Sequence, residues 1–107
     1  MKKVVIIDDE EKSRLTLSSF ISKYCPGLQI VGQADGVQTG ADTIEATKPD
    51  VVFLDVEMND GTGFDVVERL PNRSFDLIFV TAYNQYALKA REPFYELKYN
   101  YRAVRLH

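Results

Sequence analysis

Short apolar runs alternate with segments of helical period over most of the chain. Three runs, 3–7, 51–54 and 77–80, are rich in Val, Ile, Leu and Phe. Such runs are typical of strands that are buried on both faces of a sheet. A fourth run, 28–34, alternates apolar and polar residues, which predicts a strand near the edge of that sheet.

Segments with helical spacing lie between and after these strands. The first three end at Pro26-Gly27, Pro49 and Pro71, as helices do at Pro and Gly. The predicted helices run from Ser13 to before Pro26, on Leu15, Phe20, Ile21 and Tyr24; from Val37 to roughly Thr47, on Val37, Ala41 and Ile44; from Phe64 to before Pro71, on Phe64, Val67 and Leu70; and from Tyr83 to about Ala90.

This alternation of strands and helices predicts a single α/β domain. Strand–helix–strand units make right-handed crossovers, so the sheet is parallel and doubly wound, with helices on both faces. The length of 107 residues suits one domain with its own core and is too short for two.

Composition excludes several classes of function. No apolar run approaches the roughly 20 residues of a membrane span, and the acidic residues 8–11 end the first apolar run well before a signal-peptide core is complete. Cys25 is the only cysteine and His107 the only histidine. Disulfides, cysteine-built zinc sites and histidine catalysis are therefore not expected, which fits a reducing cytoplasm.

Charge is distributed unevenly along the chain. Residues 1–88 carry 8 basic and 14 acidic side chains, a net charge of −6, whereas residues 89–107 carry 5 basic and 2 acidic ones, a net charge of +3. The acidic body is a poor surface for nucleic acid, which requires clustered Lys and Arg. The basic tail is either a nucleic-acid arm or, as its dispersed charges favour, an ordinary solvated face.

Acidic and hydroxyl residues follow the three buried runs directly. Asp8 and Asp9 follow the first, Asp55 the second and Thr81 the third. The carboxyl ends of parallel strands meet at one edge of a sheet, where ligands bind. Crowded carboxylates need a cation, and Mg²⁺ with oxygen ligands fits best. Taken singly, these residues are also ordinary helix caps.

Several motifs together resemble the receiver domain of two-component response regulators. The resemblance covers residues 3 to about 90 and implies a flavodoxin-like sheet with strand order 2-1-3-4-5. Ala34-Asp35-Gly36 and Thr81-Ala82-Tyr83 are similar to regulators with a LytTR-type DNA-binding output domain. The motifs are Val5-Ile6-Ile7-Asp8-Asp9-Glu10, Val52-Phe53-Leu54-Asp55-Val56-Glu57-Met58, Asp60-Gly61-Thr62-Gly63-Phe64 and Phe79-Val80-Thr81-Ala82-Tyr83.

The resemblance implies a phosphorylation-controlled signalling module. Asp55 would accept a phosphoryl group from the phosphohistidine of a sensor histidine kinase. Asp9 would bind Mg²⁺ directly, Asp8 partly through water, and the backbone carbonyl of Glu57 would complete the metal site. Thr81 would be the switch hydroxyl. The implied chemistry is autocatalytic phosphotransfer and dephosphorylation, not the turnover of a substrate.

The end of the chain, residues 91–107, departs from the family pattern. Tyr95-Glu96-Leu97-Lys98 keeps the family's Tyr-x-x-Lys, but Lys98 lies 17 residues after Thr81, where about 20 is usual. Either three residues are deleted before it, or the match is accidental and the tail is foreign sequence. The closing helix is expected to be missing or altered. Lys98 and its aromatic partner Tyr95 therefore stay open assignments.

Two other functions compete with this one. The first is a phosphorylation-incompetent scaffold that uses the fold for association alone. The second is a Mg²⁺-dependent phosphatase of the haloacid-dehalogenase type, which needs Asp-x-Asp after its first strand, whereas residues 8–11 read Asp-Asp-Glu-Glu. DNA binding is expected only through an output domain that these 107 residues do not include.

Residues 95–102 alternate strictly between apolar and polar, which predicts an edge strand that supports a homodimer. An edge strand exposes unpaired N–H and C=O groups, and one face would carry Tyr95, Leu97, Tyr99 and Tyr101. The alternative is that these side chains pack inward on the domain's own helices. We expect a dimer at micromolar concentration in sedimentation equilibrium, and its loss in the double variant Leu97→Lys, Tyr99→Lys. A monomeric wild type would contradict the prediction.

Overall fold

The computed structural model describes residues 1–71, 74–81 and 101–105, the last five and Thr81 by backbone alone. The elements along these residues are strand β1 (Lys2–Ile7), helix α1 (Glu11–Tyr24), β2 (Leu28–Ala34), α2 (Val37–Thr47), β3 (Val51–Asp55), β4 (Glu57–Met58), β5 (Gly61–Thr62), α3 (Gly63–Glu68), β6 (Asp76–Thr81) and β7 (Tyr101–Arg105).

The five long strands form one parallel sheet in the order β2-β1-β3-β6-β7, beside a short antiparallel hairpin of β4 and β5. This order is the predicted 2-1-3-4-5, so the flavodoxin-like α/β fold is confirmed. The alternating run 28–34 is β2 and lies at an edge, as expected. Ile7 pairs with Leu54 and Asp55 with Val80, which brings the carboxyl ends of β1, β3 and β6 level with one another.

The last strand, β7, pairs with β6 and shares only Tyr101 and Arg102 with the predicted strand 95–102. The rest of that prediction, residues 95–100 with Tyr95 and Lys98, lies outside the described residues. The predicted helix over 83–90 also lies outside them.

Alternation along the strands explains why helices cover both faces of the sheet. Side chains of successive strand residues point to opposite faces. In β1, Val4 and Ile6 belong to a cluster with Leu17 and Ile21 of α1. The intervening Val5 and Ile7 belong to the larger cluster under α2 and α3, with core residues Val37, Ala41, Ile44, Val52, Leu54, Val66, Val67, Leu70, Leu77 and Phe79.

The buried face of α2 is the predicted one, whereas in α1 only Ile21 of the predicted apolar residues is buried. In α1, Leu15, Phe20 and Tyr24 are 57%, 55% and 60% exposed, and the buried residues are Leu17 and Ile21. Leu17 and Ile21 are four residues apart and share one side of a helix, whereas Leu15 and Phe20 are five apart and do not. Within the described residues, no helix is long and apolar enough to cross a membrane.

Gly63, the first residue of α3, lies where the backbone after β3 folds back on itself. Its N–H donates to the carbonyl of Val56 at 2.8 Å. A Cβ at this position would lie 2.6 Å from the carbonyl oxygen of Asp55, 2.9 Å from the ring of Phe79 and 3.0 Å from Leu54. Only glycine therefore allows α3 to begin this close to the end of β3.

We predict that Gly63→Ala lowers the free energy of unfolding by about 2 kcal/mol, because the added methyl group must displace backbone and a packed ring. Gly27→Ala is the matched control, since a Cβ there meets nothing within 4 Å. Its effect should stay within about 0.5 kcal/mol. Urea unfolding of both variants checks this, and equal stabilities would contradict the close approach at Gly63.

Candidate functional site

Asp8 and Asp9 occupy the turn between β1 and α1. The N–H of Asp8 extends the sheet by donating to the carbonyl of Ala34 at 3.0 Å. Its carboxylate accepts from the N–H of Glu10 at 2.9 Å, and its carbonyl accepts from Nη1 of Arg14 at 2.7 Å. These bonds fix the turn, and they hold both aspartates half-buried at the end of the sheet.

Asp55 is the last residue of β3, the strand next to β1. Because Ile7 pairs with Leu54, Asp55 lies level with Asp8. Its half-buried carboxylate accepts hydrogen bonds from the backbone N–H groups of Glu57 and Val56. The chain therefore turns around the Asp55 side chain immediately after the strand.

Asp8, Asp9 and Asp55 form one cluster, in which one carboxylate oxygen from each residue lies within 4.8 Å of the others. This confirms that the strand ends bring the three predicted acidic residues together. Three carboxylate oxygens at such distances fit a hard divalent cation such as Mg²⁺, which takes a few carboxylates and completes its shell with water or phosphoryl oxygens.

The crowding changes the acidity of the cluster. Burial, followed by the charge of Asp8, raises the pKa of Asp55 from 3.8 to about 7. The hydrogen bonds from Glu57 and Val56 act in the opposite direction, and the charge of Asp9 adds to the rise. Burial also raises the pKa of Asp8, opposed by the hydrogen bond from Glu10. Without a cation, the site therefore holds a proton near neutral pH.

The other predicted site residues are placed less completely. Thr81 ends β6, one residue beyond the partner of Asp55, so its backbone lies at the same edge of the sheet. Glu57 begins the hairpin beside Asp55, with an exposed side chain. Lys98 lies outside the described residues.

Sequence reasoning missed the role of Asp60, which it used only as part of the motif Asp60-Gly61-Thr62-Gly63-Phe64. The Asp60 carboxylate accepts from the N–H of Val37, the first residue of α2, at 2.9 Å and 3.1 Å. The available signal was Gly36, because a glycine that begins a helix has no side chain to cap it. The partner that supplies the cap cannot be read from the spacing of residues along the chain.

Comparison with known proteins decides the family. The response regulator receiver domain family matches residues 4–93. The chain belongs to this family. The resemblance drawn from the motifs is thus confirmed, and the phosphorylation-switch class of function comes with it.

Individual relatives agree with this assignment. The sensory transduction protein LytT of Enterococcus faecalis is 42% identical over 89 residues, which are 81% of this chain and 36% of that protein. The transcriptional regulatory protein BtsR of Escherichia coli is 36% identical over 93 residues, 86% of this chain and 38% of that protein. The chain therefore spans less than two fifths of these curated relatives.

Among solved structures, the receiver domain of the PhyR response regulator from Erythrobacter litoralis matches with a TM-score of 0.75 at 26% identity. The match covers 97% of this chain and 77% of that one. The sequence comparison and the structure comparison thus both identify a receiver domain.

The raised pKa of Asp55 predicts that the folded receiver domain loses stability as the pH rises from about 4 to about 7 without divalent cations. In this range the unfolded chain has released a proton that the folded chain still binds, so rising pH favours unfolding. Asp55→Asn removes the ionisable group. We expect this variant to match the wild type near pH 4 and to be about 2 kcal/mol more stable at pH 8. This is less than the full pKa shift implies, because water that reaches the half-buried carboxylate weakens both the cost of burial and the repulsion.

Urea unfolding in EDTA across this pH range measures the effect. Asp42→Asn is the control, because Asp42 is an exposed carboxylate on α2 that accepts a hydrogen bond from the Gln38 side chain. It should keep the pH dependence of the wild type. A stability difference between Asp55→Asn and the wild type that does not change with pH would contradict the assignment of the raised pKa.

Proposed function

We propose that this receiver domain is switched by phosphorylation of Asp55, with a sensor histidine kinase as the phosphoryl donor. The observation that carries the proposal is the carboxylate cluster of Asp8, Asp9 and Asp55, which stands at the carboxyl ends of β1 and β3. Mg²⁺ would be held by these carboxylates and by the backbone carbonyl of Glu57, with Asp9 as a direct ligand and Asp8 acting partly through water.

Asp55 is the nucleophile of the proposed reaction. One carboxylate oxygen forms a bond to phosphorus while the bond from phosphorus to the imidazole nitrogen of the kinase breaks, and the imidazole keeps the electron pair and takes up a proton. When bound, Mg²⁺ supplies positive charge that neutralises the carboxylates and the phosphoryl oxygens. The N–H groups of Glu57 and Val56 hold the Asp55 carboxylate in place during the attack.

Thr81 and Lys98 complete the proposal. The hydroxyl of Thr81, at the end of the neighbouring strand, would bind a phosphoryl oxygen after transfer and so signal that Asp55 is modified. Lys98 would pair with the same group as a cation. Hydrolysis of the acyl phosphate by water would return Asp55 to its carboxylate form.

The output of the switch is proposed from the relatives. LytT is called a sensory transduction protein and BtsR a transcriptional regulatory protein. This chain matches little more than a third of each, so we propose that it controls a DNA-binding output domain of the LytTR type, in the cytoplasm. A homodimer through the edge strand near residues 95–102 is a further proposal.

Labelling with acetyl phosphate tests the proposal. With Mg²⁺, the wild type should gain the mass of one phosphoryl group, because Asp55 ends β3 beside Asp8 and Asp9, which would hold the metal. Asp55→Asn should gain none. The control Asp42→Asn should be labelled like the wild type.

Intact mass spectrometry under non-acidic conditions detects the acyl phosphate. Equal labelling of wild type and Asp55→Asn would remove Asp55 as the acceptor. No labelling of either would favour the association scaffold, and steady hydrolysis of a phosphomonoester would favour the phosphatase.

A further inference from the structure

Helix α2 is capped from a distant part of the chain. Its N-cap, Gly36, has no side chain that can accept a hydrogen bond, although the first turn of any helix leaves N–H groups without intrahelical partners. Both carboxylate oxygens of Asp60, 23 residues later, accept from the N–H of Val37 at 2.9 Å and 3.1 Å. The negative charge of Asp60 also favours the amino end of the helix.

Gly36 provides the space that this contact needs. A Cβ on Gly36 would lie 2.9 Å and 3.0 Å from the two carboxylate oxygens of Asp60. The backbone of Gly36 is extended, with φ −164°, which any residue adopts. The requirement for glycine therefore comes from the position of the Asp60 side chain and not from the backbone conformation.

Asp60 belongs to the turn of the β4–β5 hairpin, in which Met58 pairs with Gly61 and Glu57 with Thr62. Met58 is buried in the same core cluster as Val37. A Cβ on Gly61 would lie 2.9 Å from Cγ2 of Val37. The tip of the hairpin thus rests on the first residue of α2 through a polar contact and an apolar one.

The base of the same hairpin reaches the carboxylate cluster. Glu57 begins β4, and its N–H donates to the Asp55 carboxylate. Four residues thus connect the clamp at Asp60 to the strand end. The hairpin has only two residues in each strand, so its own ladder is short. The bond from the Gly63 N–H to the Val56 carbonyl holds its base, and the contact to α2 holds its tip.

We infer that Asp60 is a positioning residue for the phosphoacceptor site: by binding the amino end of α2, it holds the hairpin so that the Glu57 backbone stays in place beside Asp55. The inference rests on the proposed function, because its readout is the affinity of the site for Mg²⁺. Asp60 itself touches neither the carboxylate cluster nor a phosphoryl group. A cap that only stabilises α2 would change the stability of the fold and leave the Mg²⁺ affinity as it is.

The experiment measures the dissociation constant for Mg²⁺ by calorimetry and the free energy of unfolding in EDTA, on the same set of variants. Asp60→Ala removes the clamp, and Gly36→Ala displaces it without changing a residue of the hairpin. Both should weaken Mg²⁺ binding by at least about threefold, since residues that orient metal ligands typically affect affinity by an order of magnitude. Asp60→Asn keeps an acceptor for the N–H of Val37 and should stay within about twofold of the wild type.

The combined variant Gly36→Ala, Asp60→Ala separates the clamp from general damage. Once the carboxylate is gone, the methyl group on residue 36 meets no obstacle, so the double variant should bind Mg²⁺ as Asp60→Ala does, within about twofold. Asp35→Ala is the matched control. It removes a carboxylate that accepts from Oγ1 of Thr39 at the same helix end, away from the hairpin, and its Mg²⁺ affinity should equal that of the wild type.

The outcomes distinguish this inference from the proposed function. Unchanged Mg²⁺ affinity in Asp60→Ala and Gly36→Ala, with a lower free energy of unfolding, would reduce Asp60 to a helix cap and overturn the inference. Additive losses in the double variant would overturn it as well. A wild type that binds no Mg²⁺ would contradict the proposed metal site itself, and so would an Asp9→Ala variant that binds Mg²⁺ as tightly as the wild type. If Asp60→Ala does not fold, Gly36→Ala and Asp60→Asn still decide the question.

Discussion

Burial of Asp55 beside the charges of Asp8 and Asp9, at one end of the sheet, is the constraint on which the rest of the site depends. The carboxylates cannot move apart, because the strands that carry them pair through Ile7 and Leu54, which are almost fully buried. The hydrophobic core therefore holds a charge arrangement that is unfavourable by itself. The protein relieves it with a proton, and we propose that it does so with Mg²⁺ and, in turn, with a phosphoryl group.

The loop after β3 connects the charge state of Asp55 to the neighbouring helices. Backbone N–H groups of Val56 and Glu57 orient the Asp55 carboxylate. Gly63 allows α3 to begin against the backbone carbonyl of Asp55. The hairpin between them is clamped to α2 by Asp60. A change of charge at Asp55 therefore acts on backbone that contacts both α2 and α3. A switch needs such contacts if it is to alter the surface of the domain.

Much of the fold and the acidic cluster followed from the sequence, because local patterns determine them. Apolar runs fixed β1, β3 and β6, and the meeting of parallel strand ends then predicted the cluster. The predicted face of α1 was right at Ile21, which is buried, and wrong at Leu15, Phe20 and Tyr24, which are apolar but more than half exposed. The clamp at Asp60 was missed because it joins residues 23 positions apart, and no periodicity relates them.

The most direct test of this account is the pKa of Asp55 itself, measured from the chemical shift of its carboxyl carbon with and without Mg²⁺. Without the cation, Asp55 should titrate at about 7, well above its ordinary value of 3.8. With saturating Mg²⁺, the carboxylate form is stabilised and the pKa should fall below about 6. Titration near 4 in both conditions would contradict the claim that a strained carboxylate cluster is the basis of the switch.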